Sequence, residues 1–405
     1  MKVGVFLGGF SPLSGGGRTI QVEILQTLLE LAGESRHTFS VFCRNPEELS
    51  PLLKSSPITS IAFPGSVFQR VLSTASYGLE AWRNKKEGQT VLEDLVRQNG
   101  IEFMWFLGAQ AIVLDSPYCA VVWDLQHRSQ PWFPEVSADG QWEHRERFSA
   151  RFLRRATVVI VGTQAGREEL ERFYDVPAER VLILPHPTPR FALEEPTGDD
   201  HEVLRRHGLE PGYLLYPAQF WPHKNHANLL FAAARLREKH NLSLPIVFVG
   251  SDKGNEPHVR SVVQSLGLGT AVRFLGFVPQ TDLPALYRKA LALTYISFFG
   301  PENLPPLEAF GFGCPVIAAD VPGSREQLGD AALLVDPKDV DQMAAAIKTL
   351  HDDSGLAKAL VDRGRERALT RTGDQFVRGM FSFLDEFENI RRCWPNTLPA
   401  NLWRP

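Results

Sequence analysis

Cysteine is scarce in this sequence. Its four cysteines, Cys43, Cys119, Cys314 and Cys393, lie far apart, and none belongs to a CxxC pair. Zinc sites and disulfide frameworks need closely spaced or numerous cysteines. The sequence therefore encodes neither, and a reducing cytosol is the expected compartment.

An excess of charge of either sign is also missing. Forty-three basic and forty-seven acidic residues give a formal net charge of -4, so the chain has no general positive field to attract phosphate polymers. We expect no nucleic-acid partner. Hydrophobic residues make up 43% and charged residues 22% of the chain, which is the composition of a protein folded throughout.

No hydrophobic run is long enough to span a membrane. The longest apolar stretch, residues 103–114, is shorter than the roughly 20 residues of a membrane-spanning helix. The N-terminal MKVGVFLGGF leads into a glycine-rich loop without a small-residue cleavage pattern, and we interpret it as a first strand. We expect a cytoplasmic protein whose contact with the inner face of a membrane is at most peripheral.

Short apolar, β-branched runs alternate with segments of helical period along the chain. Such continuous apolar runs indicate strands of parallel sheets covered on both faces. The runs before residue 190 are VGVFL, FSVFC, FMWFL, AVVWD and VVIVG, and those after residue 200 are YLLYPA, PIVFVG, VRFLGFV, ALALTYIS, PVIAAD and ALLVD. A chain of 405 residues also exceeds what one hydrophobic core usually spans, which favours two domains.

The segment 191–200 is rich in proline, glycine and acidic residues and is the best linker candidate. We therefore predict an α/β protein of two doubly wound, Rossmann-like domains, in residues 1–190 and 201–374. Apolar residues at helical spacing in 375–390 predict a closing amphipathic helix. We assign residues 375–405 to this helix and a tail.

Two loops are candidates for binding phosphate groups. The glycine-rich loop 8–18 joins the first strand to the first helix, where backbone amides can approach an anion. It matches neither GxGxxG nor a P-loop, so a plain tight turn is an equal alternative. The segment 219–226 brings Lys224 close to the start of a helix, where a lysine suits a diphosphate. The alternative is a solvated surface lysine.

A third loop is more specific. Residues 297–318 read SFFGPENLPPLEAFGFGCPVIA, which predicts a proline-stiffened loop and a following helix. Amides at the helix N-terminus suit phosphate, and Glu308 one turn later can accept hydrogen bonds from two hydroxyls. Amides for phosphate and a carboxylate for ribose predict a nucleotide site.

This stretch resembles the retaining glycosyltransferases of family 4, the group 1 type, which have the GT-B fold. Their hallmark is an acidic residue, a Gly-Leu-Pro loop, a second glutamate and Gly-x-Pro-Val-Ile, and Glu308 matches the second glutamate. The resemblance covers nearly the whole chain, through the glycine-rich first loop, Lys224, the run FLGFV and a closing helix that in the family returns to the N-terminal domain. It implies a nucleotide-sugar donor in the cleft between the domains and a saccharide or lipid-linked saccharide acceptor.

The same resemblance implies a set of donor-binding residues. These are Gly16, Gly17, Gln219, Lys224, Gly250, Phe277, Val278, Gly300, Pro301, Asn303, Leu304 and Glu308. In the family's reaction the leaving diphosphate is stabilised by the lysine and loop amides, and it accepts the acceptor's proton on the same face. No metal and no cofactor are expected, since the acidic pair Asp352-Asp353 lies in a polar stretch typical of a solvated loop.

The donor half departs from the family pattern at two positions. Gly300 stands where the first acidic residue would be, so we expect Glu302, Asn303 or loop amides to take that role. Gln219 replaces the usual arginine five residues before the lysine. Lys224 and helix dipoles must then supply more of the neutralisation of the diphosphate.

In the N-terminal half, Trp123 occupies the place of the histidine in the family's His-Asp pair. His127 lies just beyond, so we assign it, with Asp124 as its orienting carboxylate, to the reacting edge of the donor or acceptor sugar. A structural histidine is a nearly equal alternative. With Lys224 and Glu302, these residues form the predicted catalytic set.

The predicted function is retaining transfer of a hexose in cell-surface polysaccharide synthesis, with a UDP-sugar such as UDP-glucose favoured over GDP-mannose. A nicotinamide dehydrogenase would need the absent GxGxxG. A nucleotide-sugar epimerase or hydrolase of the same fold and a catalytically inactive nucleotide-binding homologue remain alternatives. In residues 128–147, Trp132, Phe133 and Trp142 offer aromatic faces for an acceptor sugar or for the core.

Overall fold

A computed structural model describes residues 1–8, 15–44, 57–63, 91–109, 112–195 and 198–395. The part of the predicted first loop in 9–14 and the predicted tail in 396–405 lie outside these residues. The described chain forms two parallel sheets, each flanked by helices. This confirms the predicted fold class.

The N-terminal sheet has seven strands in the order β3-β2-β1-β4-β5-β6-β7. Its strands are β1 (Lys2–Phe6), β2 (Thr38–Cys43), β3 (Thr59–Ala62), β4 (Phe103–Phe106), β5 (Tyr118–Val121), β6 (Val158–Val161) and β7 (Val181–Ile183). Its helices are α1 (Gly15–Leu31), α2 (91–98), α3 (Gln126–Ser129), α4 (Pro134–Ser137), α5 (Gln141–Arg155) and α6 (Gln164–Tyr174). The strand order reverses between β1 and β4, where sheets of this kind bind ligands at their carboxyl edge.

The C-terminal sheet has six strands in the order β10-β9-β8-β11-β12-β13. Its strands are β8 (Tyr213–Pro217), β9 (Ile246–Val249), β10 (Val272–Phe274), β11 (Ala290–Tyr295), β12 (Val316–Ala319) and β13 (Ala332–Val335). The remaining helices are α7 (Arg190–Leu193), α8 (Asp200–His207), α9 (His226–His240), α10 (Glu256–Ser265), α11 (Leu283–Arg288), α12 (Leu304–Phe312), α13 (Ser324–Leu328), α14 (Val340–Asp352), α15 (Ser354–Leu369) and α16 (Gly373–Arg391). The order reverses between β8 and β11, so the loops after these strands diverge around a crevice.

Burial explains why the strands read as continuous apolar runs. Every residue of β4, β5, β6, β9 and β12 is buried, as expected where helices cover both faces of a parallel sheet. The strand predicted from AVVWD ends earlier than expected, at Val121. Trp123 and Asp124 therefore lie in the loop beyond β5, at the carboxyl edge of the sheet.

The closing helix α16 packs on the N-terminal domain, as the fold prediction required. Phe381 stacks on Phe39 of β2 with ring centroids 5.5 Å apart, and Phe387 contacts Phe103 of β4 edge-on, also at 5.5 Å. The N-terminal ammonium of the chain pairs with Glu388 at 3.0 Å. Both ends of the described chain thus belong to the same domain.

The backbone passes between the domains twice, and the two passages are in contact. The Thr188 N–H donates to the carbonyl of Arg371 at 2.7 Å, and its hydroxyl donates to the carbonyl of Ala368 at 3.0 Å. The N-terminal sheet ends with β7 and the C-terminal sheet begins with β8. The predicted linker 191–200 falls between them, and its boundaries stay a prediction.

Candidate functional site

Loops from both sheets meet at the carboxyl ends of their strands. Gly16, in the first turn of α1, faces Leu304 at the start of α12, and a Cβ on Gly16 would lie 3.2 Å from the Leu304 side chain. Gly162, after β6, faces Glu302 so closely that a Cβ would overlap its carboxylate. The two halves of the predicted site therefore line one cleft.

Lys224 lies in a one-turn 3-10 helix, Pro222–Lys224, that precedes α9. Its side chain is only partly exposed, and Nζ donates to the Tyr295 hydroxyl at 2.9 Å while lying 5.2 Å from the centre of that ring. Asn225 adopts φ +60° and donates through Nδ2 to the carbonyl of Ile296 at 2.9 Å. The lysine is thus held against β11 rather than free in solvent.

Gln219 lies on the same loop but has polar partners of its own. Its side-chain nitrogen, Nε2, donates to the Ser251 hydroxyl at 3.3 Å, and its side-chain oxygen, Oε1, accepts from the Trp221 indole at 3.1 Å. The residue therefore organises the loop after β8 and brings no charge. The predicted loss of one positive charge, relative to the family's arginine, leaves Lys224 as the cation of this loop.

The loop before α12 is shaped by two features. Gly300 has φ +132°, a backbone conformation that disfavours any side chain, so the position of the family's first acidic residue does not suit a glutamate here. The Asn303 side chain donates to the Gly300 carbonyl at 3.0 Å, and its N–H donates to Gln327 at 3.0 Å. The loop is closed by its own hydrogen bonds.

Fewer helix amides are available than the motif alone indicates. Pro305 and Pro306 follow Leu304 at the start of α12, and proline has no N–H to offer an anion. The first turn can therefore offer a ligand the amide of Leu304, since the Leu307 N–H makes the first bond within the helix, to the Asn303 carbonyl. Neutralisation of a diphosphate at this helix would depend correspondingly more on Lys224.

Glu308 lies on α12 and accepts a hydrogen bond from the Tyr287 hydroxyl at 2.7 Å. Burial raises its pKa to about 7, although the bond from Tyr287 acts in the opposite direction. One carboxylate oxygen is thus already engaged, where we expected both to serve a ligand. The carboxyl group titrates close to neutral pH, so its charge depends on the conditions.

The remaining predicted donor residues lie around the ends of β9 and β10. The Gly250 N–H donates to the carbonyl of Gly276 at 2.8 Å, which joins the loops after the two strands. Phe277 is 59% exposed, which leaves its ring available to a planar ligand, whereas Val278 is buried. Pro301 packs against Gly323, where a Cβ would overlap the proline backbone.

Glu302 has a different setting from the one predicted. Its side chain is 2% exposed and pairs with Arg371 at 2.9 Å. Both oxygens also accept from the His186 N–H, at 3.1 and 3.2 Å. Through His186 the loop before α12 is joined to the N-terminal domain, and through Arg371 it is joined to the segment between α15 and α16. The catalytic role of Glu302 stays a prediction.

Trp123 fills the space left by two glycines in the N-terminal half. A Cβ on Gly17 would lie 2.8 Å from its ring, and one on Gly108 would lie 3.4 Å away. Next to it, Asp124 accepts from the Gln126 N–H at 3.0 Å and lies 3.4 Å from Arg145. Trp123 and Asp124 both line a narrow cavity that also includes Glu302.

His127 is buried, with 2% of its side chain exposed. Its Nε2 lies 2.9 Å from the Tyr174 hydroxyl and 3.4 Å from Glu146, and burial lowers its pKa. Tyr174 and Glu146 therefore take the orienting role that we expected of Asp124, because the chain after β5 turns the ring inward. This setting matches the structural alternative, and the catalytic role of His127 stays a prediction.

The three aromatic residues after α3 have separate environments. The Trp142 indole donates to the carbonyl of His127 at 2.7 Å, so it supports the local fold. Phe133 packs on Phe298 of the opposite domain with centroids 5.8 Å apart. Trp132 is 69% exposed and offers a free face beside this contact.

Two further contacts of carboxylates across the domain boundary were not predicted. Glu135 of α4 lies 2.5 Å from His223 Nδ1. Glu326 of α13 accepts from the first N–H groups of α6, those of Gln164 at 2.6 Å and Ala165 at 3.0 Å. In the WPHKN segment only the lysine was predicted to have a role. No local pattern links residues that belong to different domains.

Among the described residues, no group of three or more His, Cys, Asp or Glu side chains is arranged to hold a metal ion. Asp352 instead pairs with Lys348, and Asp353 caps α15 through its side chain. In the same part of the chain, no helix combines the length and apolar character needed to cross a membrane.

Residues 201–367 match the family model described as glycosyl transferases group 1. This part of the chain is similar to members of that family. O-antigen chain mannosyltransferase B of Escherichia coli is 30% identical to this chain over 236 residues, which are 56% of this chain and 62% of that protein. For other curated relatives the chain spans about half of their length.

Solved structures resemble nearly the whole chain. Sucrose-phosphate synthase from Thermosynechococcus elongatus has a TM-score of 0.72 and 19% identity, and the match covers 96% of this chain and 99% of that one. Anabaena HepE in complex with UDP and glucose has a TM-score of 0.69 and 17% identity, covering 95% and 100%. The fold is therefore GT-B, as the resemblance implied.

Proposed function

We propose that this protein is a retaining hexosyltransferase that uses a nucleotide sugar. The observation that carries the proposal is the group 1 match over residues 201–367, which contains both Lys224 and Glu308. These side chains lie on the loop after β8 and on α12, which are neighbours across the crevice of the C-terminal sheet. A cation for a diphosphate and a carboxylate for ribose hydroxyls are the groups that a nucleotide-sugar site needs.

In the proposed reaction, the bond between the sugar C1 and the diphosphate oxygen breaks while the acceptor oxygen bonds to C1 on the same face. The acceptor's proton passes to the leaving diphosphate. Lys224 and the amide of Leu304 would stabilise the charge that develops on the diphosphate. We propose that no metal ion is needed and that activity survives a chelator.

We propose a hexose donor based on UDP or GDP and a saccharide or lipid-linked saccharide acceptor of a cell-surface polysaccharide. The relative from Escherichia coli is named an O-antigen chain mannosyltransferase, which supports a polysaccharide acceptor and a mannose donor. The HepE complex contains UDP and glucose, which supports a UDP-sugar. The exposed ring of Trp132 beside the cleft is the aromatic surface on which an acceptor sugar would stack.

A thermal-shift screen against UDP-, GDP- and ADP-sugars tests the donor. A ligand that binds only the native state raises Tm with its concentration. We expect a UDP- or GDP-sugar to stabilise the protein and an ADP-sugar to do so less. Transfer of labelled sugar to a saccharide acceptor, rather than release of free sugar, would separate transfer from hydrolysis or epimerisation. Unchanged Tm with every nucleotide sugar would contradict the proposal.

The variant Lys224→Ala tests the diphosphate role. We expect a larger loss of turnover than of stability, because the lysine side chain makes one hydrogen bond, to Tyr295, and in the proposed reaction its charge offsets the charge that develops on the diphosphate. Tyr295→Phe is the matched control, since it removes the same hydrogen bond and retains the cation. Full transfer activity in Lys224→Ala would show that another group neutralises the diphosphate.

The catalytically inactive homologue remains a second candidate. One observation favours it: Glu302, the nearest glutamate to the missing first acidic residue, is engaged by Arg371 and His186. Binding of UDP or GDP without turnover of any donor would identify this case.

A further inference from the structure

The segment 130–135 of the N-terminal domain reaches across the cleft to the lysine loop. Gln130 donates through its side chain to the carbonyl of Phe298 at 2.9 Å. The Phe133 ring packs on Phe298 and, edge-on at 6.2 Å, on the His223 ring. The segment therefore contacts the two loops that precede α9 and α12.

Glu135 makes the polar contact of this segment with His223. One carboxylate oxygen, Oε1, lies 2.5 Å from His223 Nδ1 and 3.2 Å from the backbone nitrogen of the same residue. Only 6% of the Glu135 side chain and 13% of the His223 side chain are exposed. The contact is thus largely buried, and the carboxylate oxygen is approached by the ring N–H and the backbone N–H of the same residue.

The charges of the pair define the direction of these hydrogen bonds. Burial acts to raise the pKa of Glu135, but the hydrogen bonds from His223 outweigh it and hold the pKa below its usual value. Burial lowers the pKa of His223 despite the nearby carboxylate. Glu135 is therefore an anion, and a neutral His223 must carry its proton on Nδ1 to donate to it.

The same residue is also fixed from the other side. The carbonyl of His223 accepts from the Phe298 N–H at 2.8 Å and from the Ser297 hydroxyl at 3.2 Å. Lys224 follows directly, so the position of its backbone depends on both sets of contacts. One set belongs to the C-terminal domain, and the other is supplied by Glu135.

We infer that Glu135 is a positioning residue of the diphosphate site, which fixes the His223–Lys224 turn from the opposite domain. The inference rests on the proposed function of Lys224. It implies that the lysine is fully placed only while the two domains are in contact. The acceptor-side domain thereby contributes to donor chemistry without touching the donor.

A double-mutant cycle tests this role. We expect Glu135→Ala to lower kcat for transfer about ten-fold and to change the affinity for UDP or GDP less. In a Lys224→Ala background the same substitution should have almost no further effect, because Glu135 acts through the lysine. Glu135→Gln, which retains the size of the side chain and loses its charge, should have an intermediate effect.

Glu326→Ala is the matched control, because Glu326 is also a carboxylate that crosses the domain boundary, at the start of α6. Its effect on kcat should add to that of Lys224→Ala in the double variant. The inference would be overturned if the effects of Glu135→Ala and Lys224→Ala on kcat were also additive. It would also be overturned if Glu135→Ala alone left kcat unchanged. The proposed function would instead fail if Lys224→Ala changed neither turnover nor affinity for UDP and GDP. If Glu135→Ala does not fold, as judged by its Tm, Glu135→Gln completes the cycle.

Discussion

Glu308 combines a predicted ribose contact with a pKa near neutrality. Burial raises the pKa of this carboxyl to about 7 from the usual 4.5. A carboxylate accepts hydroxyl hydrogen bonds more strongly than a neutral carboxyl. We therefore expect affinity for UDP or GDP to be about ten-fold weaker one pH unit below this pKa than one unit above it. Calorimetry at the two pH values measures the difference.

The variant Glu308→Gln shows how much of the pH dependence of nucleotide binding comes from this carboxyl group. The variant should bind nucleotide more weakly by about 1–3 kcal/mol at high pH and lose the pH dependence. The folded state holds the Glu308 proton to a higher pH than the unfolded chain, so this group makes stability fall as pH rises from 4.5 to about 7. That fall should be absent in the variant. An unchanged affinity profile would remove Glu308 from the site.

His127→Ala distinguishes the two roles considered for this residue. The buried ring with its contacts to Tyr174 and Glu146 predicts a large loss of stability, about 2–4 kcal/mol. A catalytic role predicts instead a lower turnover number with an unchanged Tm and nucleotide affinity. Denaturant unfolding and steady-state kinetics on the same variant decide between them.

The places of Lys224 and Glu308 in the fold were predictable, and their roles in a site stay predictions. Lys224 and Glu308 follow from their spacing to strands and prolines in the sequence. Their partners Tyr295 and Tyr287 were not identified, because they belong to β11 and α11 and approach only in the folded sheet. The orientation of His127 was also beyond prediction, since it depends on a turn after β5.

Helix α16 should contribute to the stability of the N-terminal domain through its buried face. Leu384 on this helix is fully buried, and its truncation should cost about 2–5 kcal/mol. Leu384→Ala should therefore lower the unfolding midpoint, measured by fluorescence in denaturant. Glu386→Ala, on an exposed position of the same helix, is the control and should change stability by less than about 0.5 kcal/mol. Equal effects would contradict the packing of this helix against the N-terminal domain.

Strands were predictable from apolar runs to within a few residues, except where burial is low. Two strands were not predicted: β3, an edge strand whose residues TSIA are mostly exposed, and β7, whose three residues are partly exposed. The conformations of the loops could be predicted less well from the sequence. The glycine at position 300 was recognised as a departure, but its φ of +132°, which explains the departure, depends on the hydrogen bonds of the folded loop.

The two-domain α/β architecture was predictable from the repeated alternation of strands and helices along the chain. The contacts between the domains were not. Glu135 with His223 and Glu326 with α6 join residues far apart in sequence, and neither lies in a periodic pattern. One sequence was thus enough to predict the sheets and helices of each domain and the motifs in the C-terminal half of the cleft.

The packing of α16 on α1 and on strands of the first sheet also affects the order in which the protein can fold on the ribosome. Domains generally fold as units as they emerge, the N-terminal one first. Here the N-terminal domain lacks the helix that covers Phe39 and Phe103 until residue 391 has been translated. The C-terminal domain, which is encoded between the two parts, has its complete set of strands earlier. The first domain to be synthesised is therefore the last to be finished.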